Sequence, residues 1–283
     1  MSLVGTARRA RFRSRIARAP LVAVRRRGLR PEDALLVSYP RSGTTWLRFL
    51  LTEALTGETA DFHPDRQAVR YVGEHADAPA ILPSGGRLIF SHERPSRDRR
   101  TVLYIVRDPR AVALSEWRWL RRRGLADPTF DRFLDRFVRG RSNPWGAWAD
   151  HVDRWTVASE AARAGRLTLT RFEDLRADTA ATLAGLVASL GATVDAGRLR
   201  EVVAANSLER MQDKESAAPD RAFAKGVQRD VRFVSTGSVA GWRRALSEAQ
   251  QRAIADAFGD VMRRLGYDPA PTTSEADAPQ RAE

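Results

Sequence analysis

The chain contains no cysteine, which excludes a disulfide framework and a thiolate metal site. Histidine is scarce: the four stand apart at positions 63, 75, 92 and 151, a scatter that argues against a histidine metal cluster. No apolar run approaches the roughly 20 residues that a membrane-spanning helix needs, and no apolar signal-peptide core is visible. A cytoplasmic protein with no metal is therefore expected. Acidic residues are missing altogether from residues 1 to 30, which hold ten arginines. Phe12, Ile16, Leu21, Val22 and Val24 interrupt that charge but build no strong apolar face. Residues 1–32 read as a poorly ordered basic arm, or as a weak amphipathic helix making a weak contact with an anionic surface.

What remains is a chain of 283 residues with a net charge of +13, in which arginine greatly outnumbers lysine. The length suits one large α/β domain and is ample for a sizeable core. Such a surface attracts nucleic acid, anionic lipid or anionic small molecules, and charge alone does not choose among them.

The most informative stretch is residues 34–51. Ala34 to Val37 is a short apolar run, the pattern of a buried parallel strand. Tyr39-Pro40 ends it, because proline cannot donate to a sheet ladder. From Thr44, Trp46, Leu47, Leu50 and Leu51 recur at helical spacing, with Ser42 and Thr44 expected as caps. Strand, small-residue loop and helix start make an anion cradle, since the first amides and the positive dipole end of the helix face the loop. Gly43 permits close backbone approach, and Arg41 adds a full positive charge. A Walker A loop would need its lysine after the last glycine. Here the cation precedes the glycine.

Further strands are expected at Arg87–His92, Thr101–Val106 and Arg166–Thr170, with helices over 111–120, 178–190, 195–204 and 254–265. The alternation of strands and helices predicts an α/β fold, a P-loop-like three-layer arrangement with a mostly parallel central sheet flanked by helices. Residues 57–86 lack periodicity and read as a long irregular connection, and 213–236 as a mobile loop. The Pro-, Ala- and acid-rich segment 268–283 reads as a disordered tail, which leaves one domain over 33–267. In an open parallel sheet the ligand crevice lies just past the strand C-termini. His92 should therefore share an edge with the loop at 38–45, which makes it a candidate base, with Glu93 as the alternative. Trp148, Val152 and Trp155 share a helical face that reads as core. The remaining tryptophans include candidates for a pocket wall.

The string Arg41-Ser42-Gly43-Thr44-Thr45-Trp46, after a strand and Tyr39-Pro40, closely resembles the 5′-phosphosulfate loop of sulfotransferases that use 3′-phosphoadenosine-5′-phosphosulfate (PAPS). A second motif agrees with it. These enzymes place an arginine at the end of a strand and a serine eight positions later, both on the cofactor's 3′-phosphate, and Arg107 plus eight is Ser115. Arg171-Phe172-Glu173-Asp174-Leu175 is similar to the family's YEDL-type turn, with Phe172 at the adenine-side aromatic position. Asn206 to Met211 resembles its TSFxxM segment, with Leu208 in place of the usual phenylalanine. Gly237 to Trp242 partly matches the RKGxxGxW signature, although Ser235-Thr236 stand where Arg-Lys would lie and Ala240-Gly241 shift the second glycine. Arg229 or Arg232 is a candidate substitute for the missing basic pair.

The resemblance, over residues 33–267, implies a cytosolic-type sulfotransferase that moves a sulfuryl group from PAPS to an acceptor hydroxyl or amine. It releases adenosine 3′,5′-bisphosphate and uses no metal. In that reading His92 is the general base and Arg41 neutralises the leaving oxygen. Arg41, Ser42, Gly43, Thr44, Thr45, Trp46, Arg107, Ser115, Phe172, Leu208 and Gly237 hold the cofactor, with Trp46 stacking on the adenine. The family often has a second lysine two residues before the histidine; Phe90 stands there, so neutralisation rests more heavily on Arg41. The acceptor is expected to be a small molecule or carbohydrate, with no specific nucleic acid bound. Two other classes stay open. A P-loop nucleotide kinase would need a GK[ST] loop and a magnesium-liganding acid, and neither arrangement is found. A basic nucleic-acid-binding protein would leave both phosphate motifs unexplained.

Overall fold

The computed structural model describes residues 15–62, 68–74, 78–95, 99–125, 127–218, 234 and 238–272. In chain order its elements are α1 (Arg15–Arg26), β1 (Ala34–Ser38), α2 (Thr44–Thr56), α3 (Ala68–Tyr71), β2 (Leu88–Ser91), β3 (Val102–Val106), α4 (Pro109–Arg122) and α5 (Phe130–Val138). There follow α6 (Trp148–Thr156), α7 (Glu160–Arg163), β4 (Leu167–Arg171), α8 (Phe172–Ala177), α9 (Thr179–Ser189), α10 (Ala196–Ala205), α11 (Leu208–Ala217), α12 (Trp242–Ala245) and α13 (Glu248–Arg264).

The four strands pair only in parallel, in the order β2-β1-β3-β4. Every residue of β1 and β3 is buried, and alternate residues feed two separate cores. Leu35, Val37, Val102, Tyr104 and Val106 pack with Val112, Phe133, Phe137, Trp148, Trp155, Ile254 and Phe258. Ala34, Leu36, Leu103 and Ile105 pack on the other face with Leu47, Leu50, Leu51, Leu183, Leu186 and Val202. A strand with helices on both faces must be apolar at every position, because its two-residue period points side chains into both layers. This is the expected three-layer α/β arrangement, and Trp148, Val152 and Trp155 lie in the first core as their spacing predicts.

Strand order fixes where a ligand can enter. The chain leaves β1 for β2 on one side, then crosses back to β3 and β4 on the other. The order therefore reverses between β1 and β3, and a crevice opens past their C-terminal ends. Residues 39–43, 92 and 107–108 all lie on that edge.

Several boundaries differ from expectation. Pro109 opens α4 two residues earlier than predicted, with Asp108 accepting from the Arg110 amide; proline is tolerated at a first helical position, where its missing N–H is not needed. The last helix begins at Glu248 rather than 254, under a capping box formed by Ser247 and Gln250. α11 carries helix to Ala217 inside the span expected to be a loop, and 219–233 lie outside the described residues. Packing also continues past residue 267. The carbonyls of Asp268 and Ala270 accept from Arg110, and Thr272 bonds Gln251; the rest of the expected tail, 273–283, lies outside the described residues. At the opposite end of the sheet, Arg87 grips Asp33 through Nε at 3.0 Å and Nη2 at 2.6 Å, with both side chains almost wholly buried.

That pair generates a test of the fold. Removing one partner of a buried ion pair leaves the other charge uncompensated, so Asp33→Ala should lower the unfolding free energy by about 3–5 kcal/mol. Urea unfolding should show Asp33→Ala/Arg87→Met recovering much of that loss. A single variant as stable as the parent would mean that the pair does not anchor β2 to β1.

Candidate active site

A cavity of about 370 Å³ opens at the β1–β3 reversal, walled by residues of the 39–46 loop and by His92, Arg107, Ser115 and Phe172, among others. The loop is shaped by two left-handed residues, Arg41 at φ 70° and Gly43 at φ 92°. At Gly43 a Cβ would lie 2.3 Å from Phe172 Cδ2, so glycine is required for its conformation and for the approach of that ring. Tyr39 holds the loop from beneath: its hydroxyl donates to Gly146 O at 3.0 Å and accepts from Asn143 Nδ2 at 2.7 Å.

The predicted side-chain caps are not formed. Gly43 occupies the N-cap position of α2, and no side chain caps the helix. Thr44 is already the first helical residue, and its hydroxyl bonds Ser38 Oγ at 2.6 Å. Ser42 Oγ is buried with no partner. A helix N-terminus left uncapped beside a buried, unpartnered hydroxyl fits an anionic group that accepts from both.

On the β3 side the two phosphate motifs converge. Arg41 Nε donates to Ser115 Oγ at 3.2 Å. Arg107 donates to Arg41 O at 3.3 Å and to Ser238 O at 3.0 Å, with its guanidinium 4.4 Å from the Phe172 ring centroid. Its Nε is buried and unpartnered. Burial, reinforced by Arg107 and Arg122, pulls the Arg41 guanidinium down to about 10, and burial also lowers Arg107. Both still carry full charge at neutral pH. The donor set suits a ligand with two anionic centres, one at the loop and one between Arg107 and Ser115. Trp46 donates its indole N–H to Asn206 O at 2.8 Å and meets Phe172 edge-on, while Leu208 also lines the cavity. Gly237, Arg229 and Arg232 lie outside the described residues.

On the β2 side, His92 Nδ1 lies 2.7 Å from Ser38 O. A carbonyl only accepts, so Nδ1 carries the proton and Nε2 holds the basic lone pair of the neutral ring. The ring sits edge-on between Phe90 and Trp145, at centroid distances of 4.7 and 5.1 Å. Glu93, one residue on, follows the strand alternation to the opposite face and lines a small pocket with Ile89 and Trp155 instead. Of the two candidate bases, His92 alone lines the cavity.

Sequence reasoning did not single out His151, which supports His92 from below. Its Nε2–H donates to His92 O at 2.9 Å, and its Nδ1 accepts from Tyr104 Oη at 2.8 Å. Complete burial, only partly offset by the bond to His92, holds it down at about 3. Arg48, Glu74, Glu116, Trp119, Asn143, Trp145 and Arg176 also line the cavity without having been assigned a role. Arg48 had one available signal, its place one helical turn after Thr44 on the face of α2 that starts at the loop. Among the described residues, no group of three or more His, Asp or Glu side chains is placed to hold a metal, and no helix is long and apolar enough to cross a membrane.

A family model described as "Sulfotransferase domain" matches residues 91–266. Among curated proteins, rat sulfotransferase 2A6 is 23% identical over 260 residues, covering 85% of this chain and 87% of the relative. Human sulfotransferase 1C2 is 25% identical over 260 residues, covering 83% of each. Among solved structures, mouse sulfotransferase SULT7A1 complexed with PAP superposes with a TM-score of 0.66 at 22% identity, covering 85% of this chain and 87% of that one. Retinol dehydratase in complex with androsterone and inactive cofactor PAP gives 0.68 at 19%, covering 85% and 83%.

The buried histidine predicts a pH dependence. An unfolded histidine titrates near 6.5, whereas His151 in the fold stays neutral to about 3. Between those values the unfolded chain binds the extra proton, so stability falls as the pH is lowered. The loss from this one group is about 2 kcal/mol between pH 7 and pH 5. Denaturant unfolding of parent and His151→Gln at both pH values should show the variant losing less by about that amount. Identical losses would mean that His151 is not held neutral.

Proposed function

Since the chain belongs to the sulfotransferase domain family, we propose that its cavity at the β1–β3 reversal transfers a sulfuryl group from PAPS to an acceptor hydroxyl, or less readily an amine, by in-line displacement. The single observation that carries the residue assignment is the convergence of Arg41, Arg107 and Ser115 on one side of β1 with His92 on the other. The enzyme is a PAPS-dependent sulfotransferase, and the family match leaves the nucleotide-kinase and nucleic-acid readings without support. The acceptor is a small molecule, a reading supported by retinol dehydratase, a neighbour solved in complex with androsterone and PAP and with retinol and PAP; a carbohydrate is one such class. Residues 33–267 are proposed as the catalytic unit, with Asp268 to Thr272 packed on it. The basic N-terminal stretch is proposed to make no more than weak contacts with anionic surfaces, and a cytoplasmic site of action rests on the likeness of the loop to cytosolic-type members.

Bound PAPS supplies an already activated sulfuryl group, so the protein's work is positioning and charge stabilisation rather than covalent catalysis. The uncapped amides after Gly43, with Ser42 Oγ and Thr45, hold the 5′-phosphate. Arg107 and Ser115 hold the 3′-phosphate, for which the planar guanidinium suits two oxygens at once. Trp46 and Phe172, with Leu208, form the base-binding side. His92 Nε2 takes the acceptor proton, and the bond from Nδ1–H to Ser38 O stabilises the resulting imidazolium. Arg41 stays protonated throughout and offers charge to the leaving oxygen. Its Nε donates to Ser115 Oγ, which links the two proposed phosphate contacts.

The distinguishing experiment is nucleotide recognition. Adenosine 3′,5′-bisphosphate should bind at least about tenfold more tightly than AMP, in EDTA as in magnesium, because only the bisphosphate reaches Arg107 and Ser115. In calorimetry Arg107→Ala should close most of that gap while AMP binding changes little. Equal affinity in the parent would falsify the assignment of the 3′-phosphate site. His92→Ala should lower kcat by about 10²–10⁴-fold at nearly unchanged bisphosphate affinity. Near-normal turnover would point to an acceptor that needs no base.

A further inference from the structure

The cavity contains a cation that neither nucleotide recognition nor proton transfer uses. Arg48 projects from α2 beside β2, on the His92 side of β1, whereas Arg107 and Ser115 lie on the β3 side. Its guanidinium stands 4.8 Å from the centroid of Phe90, the ring whose other neighbour is His92. The residue is 4% exposed and lines the cavity. One terminal nitrogen donates to Val72 O, and Nε has no partner. Burying a cation is unfavourable unless an anion or several acceptors compensate for the lost water. A carbonyl and an aromatic face compensate only in part. Glu74 acts on Arg48 through space, but its carboxylate is ion-paired with Arg25 of α1.

Resting on the sulfotransferase reading, we propose that Arg48 is the acceptor-specificity residue, and that the acceptor carries an anionic oxygen group, of which a carboxylate is the simplest, on an aromatic or apolar body that also bears the reacting hydroxyl. Phe90 and Trp145 supply the apolar wall, His92 the base, and Arg48 the counter-charge that orients the acceptor. The lowering of Arg48 to about 10 by burial agrees with a cation short of compensating anions, and it leaves the group charged wherever the enzyme is active. Arginine at this place also ties α2 to residue 72, so a purely structural role must be told apart from recognition.

Matched acids and amides separate the two. The protein is first saturated with adenosine 3′,5′-bisphosphate, then titrated calorimetrically with 4-hydroxyphenyl-acetic, -propionic and -butyric acids and with their primary amides. At least one acid should bind about tenfold more tightly than its amide, the difference that a charge-assisted contact makes. Arg48→Met should close that gap, and Arg48→Lys should keep part of it. Glu74→Gln, which removes the competing carboxylate and leaves Arg48 in place, should tighten acid binding a few-fold and serves if Arg48→Met does not fold. With PAPS, the kcat/KM ratio of acid to amide should follow the same order. Equal binding of acids and amides, or no binding of either, overturns the proposal. So does a variant that weakens both alike, since that is the signature of a structural role or of contact with the sulfuryl group itself. Bisphosphate affinity is read in the same titrations: its absence in the parent would sink the sulfotransferase assignment, whereas tight bisphosphate binding with no acid preference would sink only the role of Arg48.

Discussion

The geometry of this site depends on Ser38, the last residue of β1. Its hydroxyl bonds Thr44 Oγ1 at 2.6 Å, which fixes where α2 starts, and its carbonyl accepts from His92 Nδ1 at 2.7 Å. One residue thus sets the position of the helix end proposed to bind the anion and the tautomer of His92, the proposed base. This is possible because Ser38 stands where the sheet stops: Val37 is still paired with Ser91, and Ser38 with Ile105. Beyond that point the strands no longer satisfy each other's backbone groups, so a carbonyl becomes available to a side chain. The spatial relation between the loop and His92 is a consequence of where β1 ends.

Burial explains why the cations are arginines. Arg41 and Arg48 are both drawn down to about 10 by desolvation, and both remain protonated at neutral pH. A lysine begins about two units lower than arginine and readily gives up its proton when buried. Subjected to the same environment, it would come close to losing its charge before any anion arrived. In a cavity lined by Arg41, Arg48, Arg107 and Arg176 against Glu74 and Glu116, mutual repulsion worsens that problem. Guanidinium chemistry lets the site hold an excess of positive charge in a dry place and present it intact to an anionic ligand.

Much of this was legible in the sequence, because the legible parts are governed by local rules. Continuous apolar runs at 34–37 and 102–106 specify doubly covered strands. The order of strand, small-residue loop and helix specifies an anion cradle, and the eight-residue spacing from Arg107 to Ser115 carries a serine two turns into α4. Unreadable features depend on contacts between segments far apart in the chain. Trp119 and Trp145 face the cavity while Trp148 and Trp155 are core, a division made by packing against α13 and β3 rather than by spacing. His151 and Arg48 look like any other helical residues until β3 and β2 are set beside them. The capping of α2 was misjudged for a related reason: Ser42 and Thr44 have the right chemistry, but the left-handed turn at Gly43 puts glycine at the cap.

The two halves of the cavity are built differently, and this bears on how each can change. His92 is held by Ser38 from one side and by His151 and Tyr104 from beneath, all within the core, and Trp155 donates to the adjacent Glu93 carbonyl. Altering His92 would disturb the packing of α6 on the sheet. The half on the β3 side, proposed to hold the nucleotide, instead draws on segments distant in sequence. Arg107 donates to Ser238 O, Trp46 to Asn206 O, and Arg110 stacks 3.7 Å from the Trp242 ring while bonding Asp268 O. Those partners are mostly backbone carbonyls, which any residue supplies. The chain departs from that C-terminal signature at 240–241, yet the Ser238 carbonyl still accepts from Arg107. Arg107 is thus held by backbone carbonyls, whereas the loop turns on a residue without a side chain, Gly43, and His92 rests on the side chain of His151.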